Sequence, residues 1–290
     1  MDISKRKASQ EVSQIGYWSE IKLDIVRKYA AAYSRILSKQ RQPRLSHVYI
    51  DAFAGAGYHV TRKEGDLILG SPLNALLIDP PFDEYHFIDL DKGSIDSLKK
   101  SVESITNGRY DSEKVHLYNA DCNDLLITEI FPKVRYEAYR RALCLLDPYG
   151  LHLHWEVLAQ AGKMRSVEVF VNFPTADMNR NVLRKDPSKV HESQIKRMNL
   201  FWGDESSWRE AGYTREGNLF GFEEKTNNDA MAEAFRVRLK DVAGFSYVPI
   251  PIPMRNKKEA TVYYLFFASH KPVAARIVSQ IFDKYRDRRA

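Results

Sequence analysis

The sequence predicts an α/β fold: a doubly wound, seven-stranded, mostly parallel sheet whose last strand runs backwards, with a helical insertion before the final strands. Three observations predict it. Short apolar segments alternate with amphipathic ones from residue 46 to residue 174. Two late apolar segments, "FSYVPIPI" and "TVYYLFFAS", are linked only by the short basic "PMRNKKEA". That link cannot carry a parallel crossover, so the pair must be antiparallel. Finally, four successive strand segments end in an aspartate, and the carboxyl edge of an open sheet is where ligands bind.

Each element has its own signal. The opening "MDISKRKASQ" is polar and lacks the apolar core of a secretory leader. "YWSEIKLDIVRKYAAAYSRIL" sets Ile21, Ile25, Tyr29, Tyr33 and Ile36/Leu37 on one face, the spacing of an amphipathic helix. "HVYIDAF" is a buried strand, and "YHVTRKEGDLI" reads as a loop inserted in the turn that follows. "GSPLNALLI" restarts a helix, with Ser71 as N-cap and Pro72 at the first position. Then come strand "EYHFIDLD", helix "KGSIDSLKKSVESI", strand "VHLYNAD" and a helical start in "CNDLLITEIFP". Strand "RALCLLDPYG", helix "WEVLAQAG" and strand "VEVFVNFP" complete the alternation. It resumes with helix "MAEAFRVRLKDVAG", ended by Gly244, and the terminal helix "PVAARIVSQIFDKYRD" closes the chain. The expected organisation is an N-terminal helical segment (1–45), one domain made of 46–174 and 231–290, and a mainly helical insertion (175–230) for substrate or partner recognition.

Composition narrows the class. A chain of 290 residues, 44% hydrophobic, can bury a substantial core. No run of 18 apolar residues exists, which argues against a membrane span. Cys122 and Cys144 form neither a Cys-x-x-Cys pair nor a disulfide framework, so buried thiols in a reducing cytoplasm are expected. The net charge of +6 is concentrated late: residues 180–290 hold 21 Lys/Arg against 14 Asp/Glu. Such an excess suits a nucleic-acid partner.

The motifs carry more chemistry. "YIDAFAGAG" is no phosphate loop, because no Gly-Lys-Ser/Thr follows, and Val60 stands where a dinucleotide fingerprint needs its third glycine. What remains is Asp51-x-Phe53-x-Gly55-x-Gly57, a carboxylate beside a turn that lets the backbone approach a ligand. In "FIDLD", Asp89 is placed to accept from ribose hydroxyls, with Asp91 the alternative and the better helix N-cap. In "NADCND", Asp121 can accept from an adenine amino group and the Cys122 amide can donate to a ring nitrogen, while Asn123 or Asp124 can cap a helix. In "LLDPYG", Asp147, Pro148 and Tyr149 reach the same edge. His152 and His154 show no third ligand at meaningful spacing, and no metal is expected. Trp202 and Trp208 can either stack on bases or pack a small subdomain. The basic tip Arg255–Lys258 can touch phosphate or stand in solvent.

Together these residues resemble the class I S-adenosylmethionine-dependent methyltransferases, and more narrowly the bacterial three-Cys-motif partner proteins. The likeness lies in "KLDIVRKYAAAYSRIL", "YIDAFAGAG", "GSPLNAL", "FIDLD", "DCND", "LLDPYG" and "YYLFFAS", in that order, spanning residues 17 to 285. It implies a Rossmann-like fold that binds S-adenosyl-L-methionine. Asp51, Phe53, Gly55 and Gly57 would hold the methionine part, Asp89 the ribose and Asp121 the adenine. "DPYG" resembles the Asp-Pro-Pro-Tyr of amino-methylating nucleic-acid enzymes without its second proline, and the Asp-Pro-Phe-Gly of tRNA guanine-N2 methyltransferases. The expectation is therefore methyl transfer to an amino group of an RNA or DNA base, with Asp147, Pro148 and Tyr149 at the acceptor. The alternative is a methyltransferase-fold binding protein that works with a three-Cys-motif protein.

Overall fold

A computed structural model describes residues 14–61, 65–106, 113–214, 224–256 and 259–286. The polar opening stretch up to residue 13, and Lys257 and Lys258 of the basic tip, lie outside them. The first helix of the described residues is α1 (Tyr17–Ser38), whose apolar stripe includes Ile21, Ile25 and Tyr29. Next come β1 (Ser46–Asp51), α2 (Ser71–Leu76), β2 (Glu84–Asp89), α3 (Lys92–Thr106) and β3 (Val115–Asn119). Helix α4 (Cys122–Leu125) runs on through a π turn (Leu126–Ile130) into a 3-10 turn (Phe131–Lys133). Then follow β4 (Arg140–Leu146), α5 (Trp155–Met164), β5 (Val167–Phe173), α6 (Thr175–Asn181), α7 (Glu192–Trp202), α8 (Glu205–Gly212) and α9 (Asn228–Asp241). The hairpin β6 (Ile252–Arg255) and β7 (Thr261–Ala268), then α10 (Pro272–Arg286), end the fold.

The seven strands form one sheet in the order β3-β2-β1-β4-β5-β7-β6. Strands β1 to β5 pair in parallel, and β7 runs antiparallel to both β5 and β6. The expected sheet and its one reversed strand are both present. Side chains alternate across the pleat, so β1 sends Val48 and Ile50 into one core and Tyr49 into the other. α1, α2, α3 and α10 cover the Tyr49 face, while α4, α5 and α9 cover the opposite face.

Two sequence expectations change, and one open alternative is resolved. Residues 58–69 are not a plain loop: Tyr58–Thr61 and Leu67–Leu69 pair as an antiparallel hairpin, with Gln14–Ile15 alongside Val60 and Thr61. The strand read in "FSYVPIPI" starts only at Ile252, because Pro251 has no amide proton to continue the ladder. Trp202 and Trp208 are both about 1% exposed and donate to Ser207 and Asn199 inside the insertion. They are packing anchors and cannot stack on an outside base.

Candidate active site

Parallel strands end on one edge, so register decides which acids meet. Asp51 pairs beside Phe87 and Leu145, Asp89 pairs beside Asn119, and Asp147 directly follows β4. The four predicted carboxylates therefore top four adjacent strands.

Asp51 is fully buried at the end of β1. Its Oδ1 accepts from the Phe53 amide at 3.3 Å, while its Oδ2 has no hydrogen-bond partner among the described residues. Burial pushes its pKa up to about 7, the Ser71 hydroxyl and the Phe53 amide oppose that rise, and Asp147 and Asp89 add to it. Ser71 is free for this because Gly70, not Ser71, is the N-cap of α2, which corrects the sequence reading. The turn itself needs glycine. Gly55 and Gly57 have φ of +61° and +89°, and a Cβ on Gly57 would lie 2.8 Å from Leu98 Cδ1.

The turn is tied to the next strand. Gly55 N–H donates to Asp89 Oδ2 at 2.8 Å, and Asp91 N–H donates to Asp89 Oδ1 at 2.8 Å. Asp91 caps α3 by accepting from the Ser94 amide at 2.7 Å, which leaves Asp89 as the residue facing the glycine turn. At β3, Asp121 itself is the N-cap of α4, a place the sequence offered to Asn123 or Asp124. Both of its bonds, from the Asn123 amide and side chain at 2.9 Å, go to Oδ1, so Oδ2 is left without a partner among the described residues. Cys122 is buried, and burial pushes its thiol up to about 12, with Asp121 adding to the effect, so it is no nucleophile at neutral pH.

The "DPYG" turn holds a half-buried Asp147, a buried Pro148 and a Tyr149 that is 84% exposed. Asp147 Oδ2 forms an ion pair with Lys22 of α1. Burial works to lower the Lys22 pKa, but Asp147, Tyr263 and Asp51 together hold it above the ordinary lysine value. The turn is clamped from the insertion side. Asp177 of α6 accepts from the Leu151 amide at 3.0 Å and from Arg197 of α7 at 3.1 Å. Gly150, at φ +70°, leaves room for that carboxylate, which any Cβ would strike.

The geometry thus joins Asp51, Asp89 and Asp147 electrostatically, with Gly55 and Gly57 between them, and sets Asp121 and Cys122 beside Asp89. Phe53 is partly buried against the core below. Sequence reasoning missed Lys22, Ser71, Asp177, Arg197 and Tyr263, whose ring lies 5.2 Å from Lys22 Nζ. Only Lys22 gave a signal: it is a charge on the buried stripe formed by Trp18, Ile21, Ile25 and Val26.

No protein-family model matches the chain, and no curated protein does either. Solved structures similar to it include protein LPL1258 from Legionella pneumophila, 11% identical with a TM-score of 0.45 over 90% of each chain. Another is the complex of Trm1 from Pyrococcus horikoshii with S-adenosyl-L-methionine, 12% identical with a TM-score of 0.47, covering 91% of this chain and 58% of that one. A third is the METTL16 methyltransferase domain, 12% identical with a TM-score of 0.40, covering 87% and 68% respectively. The strand order with β7 alone reversed gives the chain a Rossmann-like fold, an open seven-stranded sheet flanked by helices.

Proposed function

We propose that this chain transfers a methyl group from S-adenosyl-L-methionine to an amino group of an RNA or DNA base. The observation that carries the proposal is Asp51: a buried carboxylate with an unpartnered oxygen, set against a left-handed glycine turn. An unpaired buried acceptor calls for a donor, and the ammonium of an amino acid is a suitable one. Asp89 spends one lone pair of each oxygen on backbone amides and keeps the others for two ribose hydroxyls. Asp121 Oδ2 and the Cys122 amide would serve the adenine. These residues fit the cofactor, which supplies an electrophilic methyl on a sulfonium.

The chain's own part is to position and to accept hydrogen bonds. Asp147 Oδ1 and the Pro148 carbonyl would accept from the amino group, localising its lone pair, and exposed Tyr149 would stack on a base taken from its helix. The basic charge of residues 180–290 supports a polyanionic substrate. We assign substrate choice to the insertion at 175–230, because its Asp177 and Arg197 clamp the acceptor turn. The likeness to three-Cys-motif partner proteins over residues 17 to 285 agrees with this reading, and two buried free thiols suit the cytoplasm.

Labelled methyl from the cofactor should appear in bulk tRNA, rRNA or DNA, and Asp147→Ala should remove it. Label found in protein alone would defeat the substrate class while sparing the cofactor assignment. Separately, S-adenosylhomocysteine should raise the melting temperature, and Asp89→Ala should abolish the rise. An unmutated chain that shows no rise would end the cofactor assignment. One observation favours a second reading. Lys22 already engages Asp147, so the acceptor carboxylate rests paired. In that reading a three-Cys-motif protein completes the site, and label transfer appears only once it is added.

A further inference from the structure

We propose that Glu84, His86 and His116 form a binding site for a divalent transition cation, with Zn2+ the best fit, at the end of the sheet opposite the methyl-transfer site. β2 and β3 pair in parallel with His86 beside His116, and Glu84 lies two residues earlier on the same face of β2. Glu84 Oε1 is 2.9 Å from His86 Nε2 and 3.2 Å from His116 Nε2. All three donor atoms lie within 4.8 Å of one another. Bonds of 2.0–2.2 Å at a tetrahedral ion set donor atoms about 3.4 Å apart, so small adjustments suffice. Two imidazoles and a carboxylate are the donors Zn2+ takes, with a fourth position left open.

His86 is 1% exposed, and its Nε2 stands 2.9 Å from the Glu84 carboxylate. The ring is fixed through Nδ1, which lies 3.0 Å from the Tyr118 hydroxyl, and it stacks on His116 with centroids 4.8 Å apart. Glu84 Oε2 is held by Arg140. Both outer contacts orient donors, as supporting groups around a metal do. The Arg140 charge lowers affinity below that of a closed four-ligand site. From Glu84 to Asp89 is the length of β2, about 16 Å, so the ion would not reach the methyl-transfer edge. It would fasten β3, the last strand of the sheet, to β2.

The test uses the full chain, free of any tag and stripped with a chelator. Excess Zn2+ should raise the melting temperature by about 5 °C. Co2+ should give the visible absorption of a four-coordinate centre. His116→Ala, at a side chain 34% exposed, should remove both responses. Tyr118→Phe keeps the ring and should weaken Co2+ binding about tenfold. No response in the unmutated chain would overturn the site. So would a Zn2+ response that survives His116→Ala, or Co2+ binding untouched by Tyr118→Phe.

Discussion

Lys22→Met is expected to destabilise the chain by about 3–5 kcal/mol at pH 7, the cost of removing one partner from a buried ion pair. The Lys22 side chain is 10% exposed and that of Asp147 is 24% exposed. Without the ammonium, Asp147 would stand as an unpaired anion beside Asp51 and near Asp89, and the charges at the sheet edge would repel one another. The lysine pKa is raised in the folded chain, so its contribution is complete below the ordinary value of 10.5 and fades only at higher pH.

Asp147→Leu added to Lys22→Met should recover most of the loss, because an apolar pair of similar volume replaces a buried ion pair at little cost. Urea unfolding at constant slope would measure a coupling of about 2–3 kcal/mol. Additive single effects, or a lysine variant within about 0.5 kcal/mol of the parent, would show that the pair does not hold the turn. Methyl transfer by Lys22→Arg separates support from chemistry, since arginine keeps the charge but widens the donor group.

Local pattern and chain geometry revealed the sheet; side-chain company did not reveal itself. Alternation of apolar runs gave the parallel strands, and an eight-residue link gave the reversed β7, because both are properties of consecutive residues. The four aspartates were legible for the same reason, since each ends an apolar run. Lys22 was not paired with Asp147 from sequence, because 125 residues separate them and packing alone brings α1 over the end of β4. Ser71 was misread because Ser before Pro signals an N-cap, and the signal cannot tell that Gly70 takes the cap and turns the hydroxyl toward Asp51. His86 and His116 escaped notice because they come from different strands, whereas His152 and His154 attracted notice only by lying close in sequence.

Asp51→Asn is expected to stabilise the chain above pH 7 while abolishing its response to S-adenosylhomocysteine. The sign follows from the shift. Asp51 titrates near 7 in the folded chain against 3.8 unfolded, so folding takes up a proton. The stability linked to that proton is complete below about pH 4 and is lost as pH rises to 7, a total of about 4 kcal/mol. Glu168, pushed up to about 7 by burial despite its bonds from Tyr29 and Ser269, adds a parallel loss of about 3 kcal/mol that the variant keeps. The lowered carboxylates Asp24, Glu84 and Asp204, each near 2, contribute below pH 4 and leave this window alone. Burial lowers the values of His59, His116 and His270, and their contributions cancel when variant and parent are compared. Asparagine brings an amide N–H that the Ser71 hydroxyl or Asp147 can accept, so it removes the buried charge without leaving a donor stranded. Urea unfolding at pH 5 and pH 8 should give a pH dependence roughly halved in the variant. In the parent, ligand affinity should climb between pH 6 and pH 8 as Asp51 ionises to meet an ammonium; in the variant it should be absent throughout. A variant less stable than its parent at pH 8 would mean that Asp51 is an ordinary structural acid. A variant that still answers the ligand would move the ammonium to another residue. The expected combination, stability gained and binding lost at one residue, is what a buried acceptor kept for a charged ligand should show.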